Sequence, residues 1–381
     1  MTEKIQEVQW LEATGARLLA KLRAECRRVG TNIPFAPVGG FYRDCMMPGG
    51  AAWWTNGFWP GLLWQGYHAT GEEAFRMAAI GVEERLAEPL QNFYKMEHDV
   101  GFLFLPSAVA DYRVTGSEAA RTRGLHAANL LAGRFNPAGN FIRSWDRSNF
   151  SEDARGLMII DCLMNLPLLF WASEETGDPR FAQIAGRHAD TSLHTLLRED
   201  GSVCHIAAMD PETGAYLGEV AGQGYGVGTA WSRGQGWAVY GFSIAYRETK
   251  KEEYLSAARR VADFTVREME AWDWLTPVDF RAPREPVKMD SGASVILACG
   301  LLELSGLLEE AERSAYMDAA WRILQASETA YADWNPETDG MLGGGATMYH
   351  DDRLSNLAII YGDYFLAEAI LRLQGKAMRI F

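Results

Sequence analysis

Several things are scarce or missing in this 381-residue sequence, and each absence excludes something. No apolar run reaches the roughly 18 residues needed to span a bilayer, and Met1 to Gln9 lacks the apolar core of a signal peptide. A cytoplasmic protein with no membrane partner is expected. Cysteine is sparse: Cys26, Cys45, Cys162, Cys204 and Cys299 are scattered, odd in number and never spaced Cys-x-x-Cys. That fits reduced thiols better than a disulfide framework or a zinc site. Basic residues are in deficit, 36 Lys and Arg against 50 Asp and Glu, for a net charge of -14. Such a balance argues against a nucleic-acid partner, and any anionic ligand must be held by locally placed donors. No linker or charge run divides the chain, so residues 1–381 are read as one domain. The seven His include no His-Glu-x-x-His and there is no Gly-x-Ser-x-Gly, which removes zinc proteases and serine hydrolases. Gly222 to Gly228 is Gly-rich, but no strand precedes it and its spacing is wrong for a dinucleotide site. It is read as a flexible pocket loop.

What is present is a repeating helical hairpin. A turn recurs as Tyr67 to Glu73, Tyr112 to Glu118 and Ser173 to Pro179, each with a Thr-Gly step, and more loosely as Tyr246 to Glu252. Gly after a helix supplies the left-handed C-cap, and an acidic or hydroxyl residue opens the next helix. The spacing predicts helix pairs at 57–70 with 72–87, 101–114 with 117–132, 155–175 with 179–197, 233–249 with 251–270, and 289–306 with 310–327. Segments 3–29 and 354–373 supply a sixth pair that joins the chain ends. Repeats of this period make a solenoid or a ring. Six pairs with matching ends point to an all-α (α/α)6 toroid, a six-hairpin barrel. The first helix of each pair is apolar nearly all round, as in Leu157 to Trp171, and belongs inside; the charged second helices belong outside. Strand-like alternation is confined to stretches such as Ser202 to Ala207.

The segments leading into the inner helices open on one end of such a ring, and they are rich in aromatic and ionisable residues. They carry Trp53-Trp54-Thr55-Asn56, His98-Asp99, Ser144-Trp145-Asp146, Gln223, Trp231 to Trp237 and Met289-Asp290-Ser291. Trp faces with a few carboxylates, amides and one Arg suit sugar rings. Asp161, alone in the apolar inner helix, is either satisfied by backbone N–H groups or raised in pKa, as a general acid requires. Asn165, four residues on, shares its helical face. Asp99 reads as a helix cap or as a functional carboxylate beside His98, and Asp153 as a plain cap. Arg233 either clamps a substrate carboxylate or closes a salt bridge within its loop. Trp54, Trp145 and Trp237 are either core residues or stacking platforms, and thirteen Trp tilt toward stacking.

These motifs, taken in order, resemble the unsaturated glucuronyl hydrolases of glycoside hydrolase family 88. The likeness rests on Trp54 to Gly61, His98 to Phe102, Met158 to Cys162 with Asn165-Leu166-Pro167, and Trp231 to Trp237, and runs on to Tyr361 to Phe365. The resemblance implies the six-hairpin toroid, no metal and no cofactor. It implies Asp161 as general acid/base and Asp99 as a second essential carboxylate. It further implies substrate contact at Trp54 (or the adjacent Trp53), His98, Trp145, Asn165, His205, Gln223, Arg233 and Trp237. The implied substrate is an oligosaccharide bearing a 4,5-unsaturated uronic acid, released by hydration of the vinyl ether. The saccharide is the expected partner, and the protein is expected to be a monomer or weak homodimer. The competing readings are an unsaturated rhamnogalacturonyl hydrolase, an epimerase on a similar toroid, and a non-catalytic helical scaffold. No convincing His pair supports the epimerase. Near the end, Asp351-Asp352 would repel a sulfate and Arg353 would attract one, an arrangement that leans toward unsulfated substrates.

Overall fold

The computed structural model describes residues 2–147 and 153–381. Its helices are α1 (Thr2–Val29), α2 (Phe58–Thr70), α3 (Glu73–Gln91), α4 (Val100–Phe104), α5 (Ala110–Thr115), α6 (Glu118–Gly133), α7 (Pro167–Thr176), α8 (Arg180–Thr195), α9 (Ser232–Thr249), α10 (Glu252–Glu270), α11 (Ser291–Gly306), α12 (Glu310–Tyr331) and α13 (Ile360–Leu373). They form the expected ring. α2, α4 with α5, α7, α9, α11 and α13 line the inside, and α3, α6, α8, α10, α12 and α1 stand outside. α13 packs on both α11 and α2, and α1 touches α13, α2 and α3, so the ring closes.

Local chemistry explains the boundaries. Gly71, Gly116 and Gly177 take left-handed backbone at the ends of α2, α5 and α7, as the Thr-Gly steps predict. Lys250 takes the same conformation after α9, where the looser repeat lacks a glycine. Ser117 caps α6 by accepting from the N–H of Ala120. α9 is buried from Ser232 through Ala245, whereas α10 buries one face only. In the second inner element, Leu105–Val109 is a π-type turn between α4 and α5. Pro106 has no N–H to give there, which favours the wider turn.

The third inner helix departs from expectation. Leu157–Ile159 is a strand (β3), Ile160–Met164 is a 3-10 turn, and the α-helix starts only at Pro167. Pro is well suited to a first helical turn, and the apolar run before it pairs with a strand instead. β3 joins β4 (Ile206–Met209) and β5 (Tyr216–Val220) in a three-stranded antiparallel sheet, while β1 (Phe135–Asn136) and β2 (Phe141–Ile142) pair as a separate hairpin. Asp161 therefore sits in a tight turn at the end of a strand, not in a helix. At the centre of the ring, Phe381 packs its ring against Phe58, Phe102, Tyr240, Tyr364 and Phe365.

Candidate active site

The mouth ends of the inner helices and the edge of the sheet enclose a cavity of about 800 Å3. That is the size of a small-molecule site. Trp54, His98, Asp99, Trp145, Asp161, His205, Gln223 and Arg233 all line it. Eight of the ten residues singled out from the sequence thus converge.

Strand pairing places Asp161. Ile159 lies opposite Ile206, and the N–H of Ile160 donates to the carbonyl of His205 at 3.0 Å. The two side chains consequently leave the sheet together, with His205 Nε2 3.6 Å from Asp161 Oδ1. Both atoms are buried and lack a hydrogen-bond partner. Buried polar atoms are almost always paired, so an unpaired couple facing a cavity is a ligand signature. No backbone N–H satisfies Oδ1; the one backbone donor to the carboxyl is Asp161's own amide. Burial, reinforced by the charge of Asp99 and opposed by Arg233, pushes the Asp161 carboxyl up to about 8. The N–H of Gln223 donates to His205 Nδ1 at 3.0 Å. The ring is neutral, because burial and then Arg233 depress it to about 3, so its proton sits on Nε2 and points at Asp161.

Asp99 occupies the cap position of α4 but makes no side-chain capping bond. Its Oδ1 lies 3.2 Å from His98 Nε2 instead. His98 Nδ1 is 2.7 Å from the carbonyl of Ser144, which fixes the ring proton on Nδ1 and turns the Nε2 lone pair toward Asp99. Burial raises Asp99 to about 7, against Asn165 and Arg134, and lowers His98 to about 4. A protonated Asp99 can donate to that lone pair, whereas an ionised one faces it without a proton. Both carboxyls are thus raised toward neutrality, chiefly by burial, with the charge of Asp99 adding to the rise of Asp161.

Three expectations change. Asn165 is fully buried outside the cavity; its Oδ1 accepts from the N–H of Phe102 at 2.8 Å, and its Nδ2 faces Asp99 at 3.5 Å. It supports Asp99, and it reaches Asp161 only at the backbone carbonyl. Trp237 is also fully buried, 5.2 Å from Phe102 and 5.4 Å from Phe365 between ring centroids, so it is floor packing with no face for a sugar. Arg233 is 1% exposed and its Nη1 meets Asp290 at 2.8 Å, the carbonyl of Ala346 at 2.7 Å and Tyr361 Oη at 2.5 Å. Nη2 donates to the carbonyl of Thr347. The salt bridge is therefore not within one loop: it runs from the first turn of α9 to the cap residue of α11. Asp153 accepts from the N–H of Arg155, as a cap does.

Trp53 and Trp54 both face the cavity. Trp54 stacks on Tyr361 at 5.4 Å and 23°, while the Trp53 indole N–H is buried without a partner. Trp145 stands 6.0 Å from His98, edge-on, and packs against the small core of the sheet. Tyr361, Trp231 and Asp290 complete the wall or its backing; the sequence placed Trp231 and Asp290 in mouth segments without giving any of the three an individual role. Trp231 lies beneath His205 and Arg233, at 4.2 and 4.8 Å. Tyr361 opens the sixth inner helix, so the rule that flagged the other mouths would have flagged it. The Asp351-Asp352 pair lies off the cavity wall, and Arg353 and Lys288 pair with it, which cancels the expected repulsion.

The profile described as Glycosyl Hydrolase Family 88 matches residues 42–302. The chain belongs to this family. It is 38% identical to the unsaturated glucuronyl hydrolase of Bacillus sp. (strain GL1), covering 84% of this chain and 86% of that one. It is 32% identical to an unsaturated chondroitin disaccharide hydrolase of Streptococcus pyogenes serotype M1, over 84% and 80% of the two chains. A crystal structure of the Bacillus sp. GL1 unsaturated glucuronyl hydrolase superposes with a TM-score of 0.87 at 35% identity, covering 94% of this chain and 95% of that one. Family membership accounts for the toroid, and it gives the paired carboxylates a setting in glycoside hydrolysis.

Proposed function

We propose that this protein releases a 4,5-unsaturated uronic acid from the non-reducing end of lyase-generated oligosaccharides, of glycosaminoglycan or bacterial polysaccharide origin, by hydrating its vinyl ether. One observation carries the reading: Asp161 stands at the wall of the cavity, raised by burial to about 8, with its buried Oδ1 unpartnered and beside a neutral His205 N–H. Protonation of C4 by Asp161 leaves an oxocarbenium-like cation at C5, stabilised by the ring oxygen. The Asp161 carboxylate so formed takes a proton from water as the water oxygen adds to C5. The resulting hemiketal opens to a ketone at C5 and a hemiacetal at C1, whose collapse frees the shortened saccharide. Attack is at C5, so the distance rule for retaining and inverting carboxylate pairs has no bearing.

Asp99, facing His98 and braced by Asn165, holds sugar hydroxyls and raises Asp161 by like charge. Trp54 and Trp145 present ring faces, and the Trp53 and His205 N–H groups with the Gln223 amide fix orientation. Arg233 acts from behind the wall, anchoring Tyr361 and the 346–347 backbone. The whole chain serves as one catalytic unit in the cytoplasm, as a monomer or weak homodimer, with the saccharide as its partner. A panel of unsaturated disaccharides from glycosaminoglycans and pectin, followed by loss of the double-bond absorbance, tests this. Turnover of glucuronyl substrates is expected. Turnover of rhamnogalacturonyl substrates alone would move the enzyme to the pectin reading, and turnover of none would overturn the proposal.

A further inference from the structure

The mouth of the cavity carries features that hydration of the terminal sugar leaves unused. Phe93 and Lys95 both take left-handed backbone, with φ of 53° and 50°, although neither is glycine. Such conformations are costly for bulky residues and gather where a site needs them. They present two large aromatic rings to solvent, Phe93 at 60% and Tyr94 at 53% exposure, and Tyr94 and Lys95 line the mouth. Arg147 lines it too. The N–H of Asp146 donates to Glu97 Oε1 at 2.9 Å, which ties the 145–147 segment alongside 94–97.

The charges here are distributed unevenly. Asp146 is neutralised by Arg134 at 3.0 Å and Arg143 at 2.6 Å. Arg233, deeper in the wall, is neutralised by Asp290. Neither Lys95 nor Arg147 forms an ion pair with a described residue; Lys95 donates only to the carbonyl of Pro48, at 3.2 Å, and lies over the Tyr94 ring. In a chain of net charge -14, these two cations, which form no ion pair among the described residues, flank an exposed aromatic face and favour an anion locally, beside the partly buried Glu97. Lys95 precedes Asp99 by four residues, so it lies within about 14 Å of the catalytic end. That is the reach of the second or third sugar.

We infer that Tyr94, Lys95 and Arg147 form an outer subsite for the leaving saccharide, with Tyr94 stacking on a sugar face and the cations holding an anionic group it carries. The inference rests on the function proposed above for its ligand class. The anion is either a uronate carboxylate on the third sugar or a sulfate ester on the second, and the test separates them. Binding to an Asp161→Asn protein is measured by calorimetry at low salt, so that no turnover is needed. The ligands are an unsulfated unsaturated tetrasaccharide, its carboxyl-reduced counterpart, and a sulfated and an unsulfated unsaturated disaccharide. The acidic ligand of at least one pair is expected to bind roughly 10-fold tighter than its neutral counterpart, as for a partly exposed charge-assisted contact. Adding Lys95→Gln and Arg147→Gln should bring that ratio below about 2-fold, and Tyr94→Ala should weaken both tetrasaccharides. Preference in the tetrasaccharide pair identifies the carboxylate, and in the disaccharide pair the sulfate. Equal affinities within both pairs, or ratios unmoved by the Gln substitutions, overturn the subsite. Turnover by the unmutated protein tests the parent function separately: binding preference without turnover keeps the subsite and removes the reaction.

Discussion

At the scale of residues, the site is two carboxyls held away from water and two histidines whose tautomers are set by backbone groups. Asp161→Asn keeps the shape and removes the proton, so kcat should fall by about 1000-fold, in the range of general acids, while saccharide binding persists. Near-normal turnover would exclude Asp161 as the acid. The unmutated enzyme should lose kcat as pH rises through about 8, where Asp161 ionises. The same shift has a consequence for stability. Asp161 and Asp99 are raised in the folded state, so between about pH 4 and pH 8 it binds more protons than the unfolded chain, and their contribution falls as pH rises. Asp161→Asn removes that loss. Its Tm advantage over the unmutated protein should be small at pH 4 and grow toward pH 8; a pH-independent difference would contradict the assigned burial effect.

At the scale of elements, short connections do the positioning. A Cβ on Gly222 would stand 1.9 Å from His205 Nδ1. Gly222→Ala should therefore push the imidazole off Asp161, lowering kcat/KM by about 100-fold while circular dichroism shows the helices intact. Unchanged kinetics would show that His205 placement is dispensable. Helix ends behave as local chemistry dictates. Lys250, exposed and left-handed at φ 59°, stands where the three Thr-Gly turns have glycine. Lys250→Gly should raise stability by about 0.5–1 kcal/mol in denaturant titrations, because the strain of the left-handed side chain outweighs the entropy of glycine. The repeat was legible because Thr-Gly caps and the 3.6-residue apolar period are local. The break before Pro167 was not, because Leu157 to Met164 is uniformly apolar around Asp161, and such a run suits a buried strand as well as a helix.

For the whole molecule, closure of the ring is secured at its axis. Phe381 joins rings from α2, α4, α9 and α13 at the centre, directly beneath Phe102 and near the floor residue Trp237. Phe381→Ala should cost about 3–5 kcal/mol, seen as a lower denaturant midpoint, since a cavity opens where four inner helices meet. A loss under about 1 kcal/mol would show that the tail is peripheral. The sequence by itself determined the six hairpins, the closed ring, and the mouth at which aromatic and acidic segments gather, because caps and periodicity are set within a few residues. It also singled out Asp161, since a carboxylate in an apolar run is conspicuous without coordinates. Only the tertiary structure decided which side chains reach the cavity. Trp237 and Trp54 stand in similar motifs, yet one is sealed under the floor and the other faces the opening. Arg233, in the first turn of α9, is spent on Asp290, the cap residue of α11. The pairing of β3 with β4, between residues some 50 positions apart, sets His205 beside Asp161. Those outcomes depend on contacts between distant segments, which no local pattern encodes.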